Sequence, residues 1–274
     1  MNRILVTGTK GFIGSQLKKE LENLGHSVYE LNEDYFELDS WSSELYVSLR
    51  NFDCDVVFHV GACSDTLEQD VNYMMTRNYE STKIISDWCS EKGVPFIYSS
   101  SAANYGTNNL YPSNLYGWSK YVAEDYVRLK GGIALRYFNV YGPGEYEKGR
   151  MASVAYQMFL KNKNGEKINL FPKKPLRDFV YIKDVVSANI FAWTNFEKLK
   201  GKYYEVGSGE ARGFEDVLDL MSIPFSYTDE SQIPVGYQFY TCSNKTKWME
   251  GWKSDWSLEK GIKDYKNELT NENI

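Results

Sequence analysis

Short apolar runs alternate with stretches of helical periodicity through the first half of the chain. Ile4-Leu5-Val6, Val28-Tyr29-Glu30-Leu31, Asp55-Val56-Val57-Phe58-His59-Val60 and Phe96-Ile97-Tyr98 have the length and the β-branched or aromatic character of strands, with helical patterns among them. Leu17, Leu21 and Leu24 share one face of the first such helix, and Gly25 is a natural stop after it. This alternation predicts an α/β fold built on a doubly wound parallel sheet. A further helix is expected over Leu115 to Leu129, followed by a strand over Ile133 to Val140 and a turn at Tyr141-Gly142-Pro143-Gly144.

Beyond that turn the pattern changes. Residues from about Glu145 to Pro175 are richer in Lys and Asn, and Ser222 to Trp256 holds many aromatics in no clear period. Between them, Asp178-Phe179-Val180-Tyr181-Ile182 and the helix after Asp184 return to sheet-forming α/β character. A larger domain of residues 1–144 and 176–206 is therefore expected, with a smaller, discontinuous C-terminal lobe of residues 145–175 and 207–274. Thr270 to Ile274 has the composition of a disordered tail.

With 274 residues, 42% of them hydrophobic, the chain can bury a sizeable core. No window approaches the roughly 18 uninterrupted apolar residues of a membrane span, and the apolar run at the start is too short for a signal peptide, so a cytoplasmic protein without a membrane partner is expected. Cys54, Cys63, Cys89 and Cys242 are scattered, with no CxxC or Cys/His cluster, which predicts reduced core thiols and no metal site. A net charge of −6 argues against nucleic acid as a partner. A small anionic ligand needs only a local cluster of Lys and Arg and stays open.

Gly8-Thr9-Lys10-Gly11-Phe12-Ile13-Gly14 lies between a predicted strand and an amphipathic helix, the context in which three glycines point to a Rossmann-like dinucleotide site. Gly8 permits the tight turn, Gly11 lets a pyrophosphate approach backbone N–H groups, and Gly14 lets helix and strand pack closely. The helix N-terminus adds partial positive charge. At the end of the second strand, Leu31-Asn32-Glu33, Asn32 in place of a carboxylate spares the repulsion of a 2′-phosphate that Lys10 could reach, which favours NADP. If Glu33 instead meets the ribose hydroxyl, the cofactor is NAD.

Ser99-Ser100-Ser101-Ala102 follows an apolar strand, and Tyr116-Gly117-Trp118-Ser119-Lys120 comes fifteen positions after Ser101. Tyr116 and Lys120, at i and i+4, share a helix face, so an ammonium beside the phenol is expected to lower its pKa and fit it for acid–base work near neutral pH. Ser101 would hydrogen-bond the reacting oxygen.

These motifs, with Arg136-Tyr137-Phe138-Asn139-Val140-Tyr141-Gly142-Pro143, resemble the extended short-chain dehydrogenase/reductases, the nucleotide-sugar epimerases and dehydratases. His59-Val60-Gly61-Ala62-Cys63-Ser64 with Tyr73-Met74-Met75, and Lys148-Gly149-Arg150-Met151-Ala152-Ser153-Val154-Ala155, are similar to ADP-L-glycero-D-manno-heptose 6-epimerase, a family that acts in lipopolysaccharide assembly and prefers NADP. The resemblance implies a homo-oligomeric enzyme that binds a nucleotide-diphosphate sugar and epimerises it by transient hydride transfer. Ser101, Tyr116, Lys120 and Lys148 would be catalytic, Tyr116 and Lys148 as the two acid/base groups. Gly8, Lys10, Gly11, Phe12, Ile13, Gly14, Asn32, Asp39, Ala62, Asn78, Tyr116 and Lys120 would hold the cofactor. Ser101, Asn139, Arg150, Gln157, Phe171, Lys174, Arg177 and Tyr237 would meet the substrate, Arg177 as a fork for the diphosphate.

Three departures bear on the substrate. The stretch from Tyr105 to Tyr116 and the C-terminal lobe are shorter than the family pattern, Gln157 stands where that pattern has a histidine, and Arg150 stands where it has a serine. A nucleotide-sugar reductase, a 4-epimerase and a non-catalytic NADP-binding module are the alternatives. Ser101-Ala102-Ala103-Asn104 lacks the acidic residue that a dehydratase uses for elimination.

Overall fold

The computed structural model describes residues 1–31, 33–107, 110–234 and 237–271. Its strands are β1 (Arg3–Thr7), β2 (Ser27–Glu30), β3 (Val56–His59), β4 (Phe96–Ser101), β5 (Ile133–Tyr137), β6 (Asn139–Tyr141), β7 (Asn169–Leu170), β8 (Leu176–Tyr181), β9 (Tyr203–Val206), β10 (Ala211–Gly213) and β11 (Ser226–Tyr227). The helices are α1 (Phe12–Asn23), α2 (Trp41–Arg50), α3 (Val71–Met75), α4 (Ser81–Lys92), α5 (Leu115–Leu129), α6 (Val154–Lys163), α7 (Ile182–Thr194), α8 (Phe196–Leu199), α9 (Phe214–Met221) and α10 (Leu258–Asn271). A π turn, Thr76–Glu80, joins α3 to α4.

The main sheet has the order β2-β1-β3-β4-β5-β9. β1 pairs in parallel with β2 and β3, and β3 with β4, as the alternation of strand and helix requires. Chain order reverses on either side of β1, and in such sheets ligands bind at the carboxyl ends of the strands beside that reversal. The uninterrupted apolar runs of β1 and β3 are explained by burial on both faces: Ile4, Leu5, Val6, Val56, Val57 and Phe58 are all fully enclosed. Leu17 and Leu21 of α1 are buried too, but Leu24, expected on the same face, is 53% exposed because the helix ends on it and Gly25 turns the chain at φ +81°.

The chain divides into two compact units, Met1–Arg136 with Val186–Tyr204, and Tyr137–Val185 with Glu205–Ile274. The expected boundaries at 144/145 and 175/176 are displaced because the strand over 133–140 breaks at Phe138. Its second part, β6, pairs in parallel with β8, which pairs antiparallel with β10. Residues 137–144 and 176–185 thus group with the second unit through a three-stranded sheet of their own. The tail expected from Thr270 begins inside α10, which runs to Asn271. Cys54 and Cys89 are core thiols as expected, whereas Cys63 and Cys242 are half-buried; all four are free. Among the described residues no helix is long and apolar enough to cross a membrane.

Candidate active site

In the first unit the glycine turn is dictated by contact as well as by conformation. Gly8 has φ +70°, and a Cβ there would lie 2.6 Å from the backbone of Gly61, which follows β3. A Cβ on Gly14 would lie 2.1 Å from the Gly8 carbonyl oxygen, so only glycine lets α1 start this close to β1. Gly11 is the N-cap of α1 and donates its N–H to Gly8 O at 3.0 Å. No side chain caps this helix and its first turn holds no acidic residue, so no carboxylate of the helix offsets the partial positive charge it turns toward an anion. Phe12 is buried and anchors the helix, Ile13 is half-buried, and Lys10 is exposed on the loop.

Beside this turn lies a cavity whose walls include Thr7, Glu33, Gly61, Ala62, Cys63 and Arg77. Glu33 accepts the Gly8 N–H, and desolvation raises its carboxyl pKa, with Arg77, that hydrogen bond and Lys10 pulling it back. Arg77 is stacked over Phe36 and over Tyr73, each 4.6 Å from its guanidinium carbon. Asn32 lies outside the described residues, and Asp39 is exposed in the segment between the short turn after β2 and α2. The carboxylate at this cavity is Glu33.

Ser101 ends β4 and begins a 3₁₀ turn over Ala102–Tyr105, whose Ala103 N–H it accepts at 3.1 Å. Tyr116 lies in the first turn of α5, which Asn114 caps by accepting the Gly117 N–H at 2.8 Å. Gly117 is needed here: a Cβ would sit 2.8 Å from Ala103 O and push the tyrosine away from the strand end. With that approach allowed, the Tyr116 and Ser101 side chains hydrogen-bond. Lys120 is one turn further on, 3% exposed, its Nζ 4.6 Å from the centre of the Tyr98 ring.

The expected depression of the Tyr116 pKa by Lys120 is not what this arrangement produces. Burial raises the phenol pKa, and the opposing influence is the Ser101 hydrogen bond. Burial also lowers Lys120, to about 7. Both shifts follow from low polarity, which disfavours phenolate and ammonium alike. The pair rests as a protonated phenol beside an amine that titrates near neutrality.

Beneath this pair is a charged network that sequence spacing did not reveal. Glu124 of α5 and Arg136 of β5 form a buried bidentate ion pair, Nε to Oε2 at 2.8 Å and Nη2 to Oε1 at 2.5 Å. Ser100 donates to Glu124 Oε2 at 2.6 Å, and Asn104 donates to Ser100 at 3.1 Å and to Glu124 at 3.0 Å. The residues on either side of Ser101 are thereby tied to the helix that carries Tyr116. Asn78, expected at the cofactor, is 1% exposed and spends its amide on Cys63 N–H and C=O and on Ser119 Oγ.

In the second unit Lys148 lies in a 3₁₀ segment, Tyr146–Met151, that turns at Gly149 (φ +52°). Burial lowers its pKa, partly offset by Glu145. Glu145 is fully buried and accepts from Ser153 Oγ at 2.7 Å and Gly142 N–H at 3.3 Å. Gln157 donates to the carbonyls of Arg150 (3.2 Å) and Ala152 (2.7 Å), so in this structure it braces the turn bearing Lys148. Asn139 and Arg150 are exposed.

Arg177 is 8% exposed; it donates to the carbonyls of Leu176 (2.9 Å) and Gln238 (2.6 Å) and hydrogen-bonds Tyr237. Two of its donors are thus committed to the backbone. Tyr237 packs edge-on against Phe171, ring centres 5.0 Å apart, so Phe171, Arg177 and Tyr237 are gathered together, while exposed Lys174 adopts φ +46°, a conformation costly for a side-chain-bearing residue.

A family model for the NAD dependent epimerase/dehydratase family matches residues 4–207. Among solved structures, the chain resembles ADP-L-glycero-D-manno-heptose-6-epimerase of Helicobacter pylori, with 26% identity over 98% of this chain and 96% of that one and a TM-score of 0.83. It also resembles the UDP-glucose 4-epimerase of Thermotoga maritima, solved with UDP-glucose (24% identity, 98% of each chain, TM-score 0.84). A third likeness is to the Thermus thermophilus UDP-glucose 4-epimerase, solved with NAD (22% identity, 98% and 99% covered, TM-score 0.82). With three quarters of its length under that family model, and with the glycine turn and the Ser101, Tyr116 and Lys120 set inside the matched span, the chain belongs to the NAD dependent epimerase/dehydratase family.

Proposed function

We propose that this protein is a nucleotide-sugar epimerase that oxidises a sugar carbon and reduces it again on the opposite face, with a nicotinamide dinucleotide retained at the glycine turn. The observation that carries this reading is the Ser101 to Tyr116 hydrogen bond with Lys120 one turn away, in the same compact unit as the turn. The residues present fit a dinucleotide: Gly8 and Gly14 form a backbone cradle that a Cβ would fill, and the start of α1 is uncapped. When bound, the dinucleotide supplies the hydride acceptor and donor. Ser101 orients the sugar hydroxyl, Tyr116 exchanges its proton, and Lys120 stabilises the phenolate when it forms. Lys148, its pKa lowered by burial, is the second acid/base group.

The heptose 6-epimerase reading of the substrate draws on the Lys148 motif and on the Helicobacter likeness. Phe171, Arg177 and Tyr237 are assigned to the nucleotide end. Lys10 supports NADP; Glu33, with its carboxylate on the cavity wall beside Gly8, supports NAD and favours a 2′-hydroxyl over a 2′-phosphate.

The test is to identify the dinucleotide released on denaturing the purified protein and to follow ADP- and UDP-sugars through turnover. Epimerisation with no net change in nicotinamide absorbance is the expected result. Stoichiometric consumption of the dinucleotide would instead identify a reductase. Tyr116→Phe is expected to lower turnover by about 10²- to 10⁴-fold while still binding the dinucleotide, and undiminished turnover would remove Tyr116 from the mechanism.

A further inference from the structure

His59 is 4% exposed at the end of β3, stacked between the rings of Phe96 and Tyr98 at 5.9 and 5.8 Å. Both of its ring nitrogens meet hydroxyls: Nδ1 lies 2.7 Å from Thr7 Oγ1 and Nε2 lies 2.9 Å from Thr82 Oγ1. The direction of every proton in this chain follows from its neighbours. Thr7 Oγ1 already accepts the N–H groups of Val60 (3.1 Å) and Gly61 (2.9 Å), so its own hydrogen goes to His59 Nδ1. A neutral imidazole accepting at Nδ1 donates from Nε2, here to Thr82, and Thr82 donates onward to the Asn78 carbonyl at 2.7 Å. Asn78 Nδ2 then donates to Ser119 Oγ at 2.9 Å, and Ser119 donates to the backbone carbonyl of Tyr116 at 2.7 Å.

One end of this relay is the place where Gly61 closes on Gly8, one of the two close approaches in the glycine turn. The other end is the first turn of the helix that carries Tyr116 and Lys120. All of these residues belong to one compact unit.

We propose that His59, as its neutral Nε2–H tautomer, is a positioning residue that holds the dinucleotide turn in register with the Tyr116 helix through Thr7, Thr82, Asn78 and Ser119. Its ring also borders the cavity beside the turn, but both of its nitrogens are committed to Thr7 and Thr82, and it acts through them. The inference rests on the reading of the glycine turn as a dinucleotide site.

Two measurements test it. The chain has two histidines, so long-range ¹H–¹⁵N spectra of ¹⁵N-histidine-labelled protein resolve both rings. An Nε2–H pattern for His59 at pH 7 is expected, and an Nδ1–H pattern would overturn the relay. The second measurement compares NADH and NADPH binding by calorimetry in the parent, Thr82→Val and Thr82→Ser, each first stripped of any dinucleotide retained through purification, at a temperature where circular dichroism shows each one folded. Thr82→Val keeps the shape and removes the hydroxyl at a point away from the turn; it is expected to weaken dinucleotide binding by about tenfold, with Thr82→Ser within about twofold of the parent. Equal affinity in parent and Thr82→Val, or equal losses in the Val and Ser variants, would sink the link. A parent that binds neither dinucleotide would sink the functional reading instead, and the tautomer measurement stands apart from both.

Discussion

Tyr116 and Lys120 are one helical turn apart, and burial drives their protons in opposite directions, the phenol's on and the ammonium's off. Their identity was legible from spacing alone, because i and i+4 residues share a helix face whatever surrounds them. Their electrostatics were not, since desolvation depends on how deeply the rest of the unit encloses them. Glu33 presents a similar case. Its carboxylate accepts the Gly8 N–H beside the cavity, so a 2′-phosphate there meets a like charge. Glu33→Gln keeps an acceptor for Gly8 and removes the charge. The ratio of NADP to NAD affinity is expected to rise about tenfold in that variant, measured by titration at fixed ionic strength. An unchanged ratio would place the 2′ position away from Glu33.

β4, β5 and α5 meet at Glu124, which pairs with Arg136 and accepts from Ser100, and here prediction from sequence fell short for an identifiable reason. Glu124 stands four residues beyond Lys120 and eight beyond Tyr116, so helical spacing already put it on the face of those two, but its partners Ser100, Asn104 and Arg136 come from three other segments. Only the assembled fold brings them together. Removing one ion of a buried pair strands the other without solvent, so Arg136→Met and Glu124→Leu are each expected to cost about 3–5 kcal/mol, read from urea denaturation. The double variant, which removes both charges, is expected to recover most of that loss while still lowering turnover, because Ser100 and Asn104 would lose the acceptor that fixes the end of β4. Single variants as stable as the parent would show that the pair is solvated in solution. The π turn at Thr76–Glu80, which carries the inward-facing Asn78, also escaped pattern reading, since an i+5 bond leaves no mark in apolar periodicity.

Across the molecule, the two buried bases tilt stability with pH. His59 has its folded pKa lowered to about 3, by burial first and by Lys120 second. Between that value and the ordinary histidine pKa of about 6.5 the unfolded chain binds a proton that the folded chain refuses, so this contribution is intact above pH 6.5 and is lost as pH falls, by at most ~1.4 kcal/mol per pH unit. Lys120, lowered to about 7, acts with the same sign in a higher window: its contribution is fully present above about pH 10.5 and is lost as pH falls toward 7. A His59→Phe protein should therefore show a shallower loss of unfolding midpoint than the parent between pH 7 and pH 5. Parallel curves would mean that His59 takes up its proton without unfolding. The doubly wound sheet was legible at this level because strand and helix patterns alternate over most of the first 140 residues, whereas the unit boundary was not, because β6 and β8 have the same apolar signature as strands of the main sheet.

The first unit is completed only after the chain has left it for 49 residues. β9 forms the edge beyond β5, with Ala134 N–H bonded to Lys202 O at 3.1 Å and Gly201 N–H to Gly132 O at 2.9 Å. During synthesis, then, the glycine turn and the Ser101, Tyr116 and Lys120 set leave the ribosome before the strand that seals their sheet. A nascent chain that has emerged as far as residues 137 to 185 carries the glycine turn with Ser101, Tyr116 and Lys120, and has one raw margin at β5, a template for pairing with another chain. Release from that state is timed by translation of the intervening residues, so rare codons or stalling within 137–185 should govern yield of this protein more strongly than the same delays placed after residue 206.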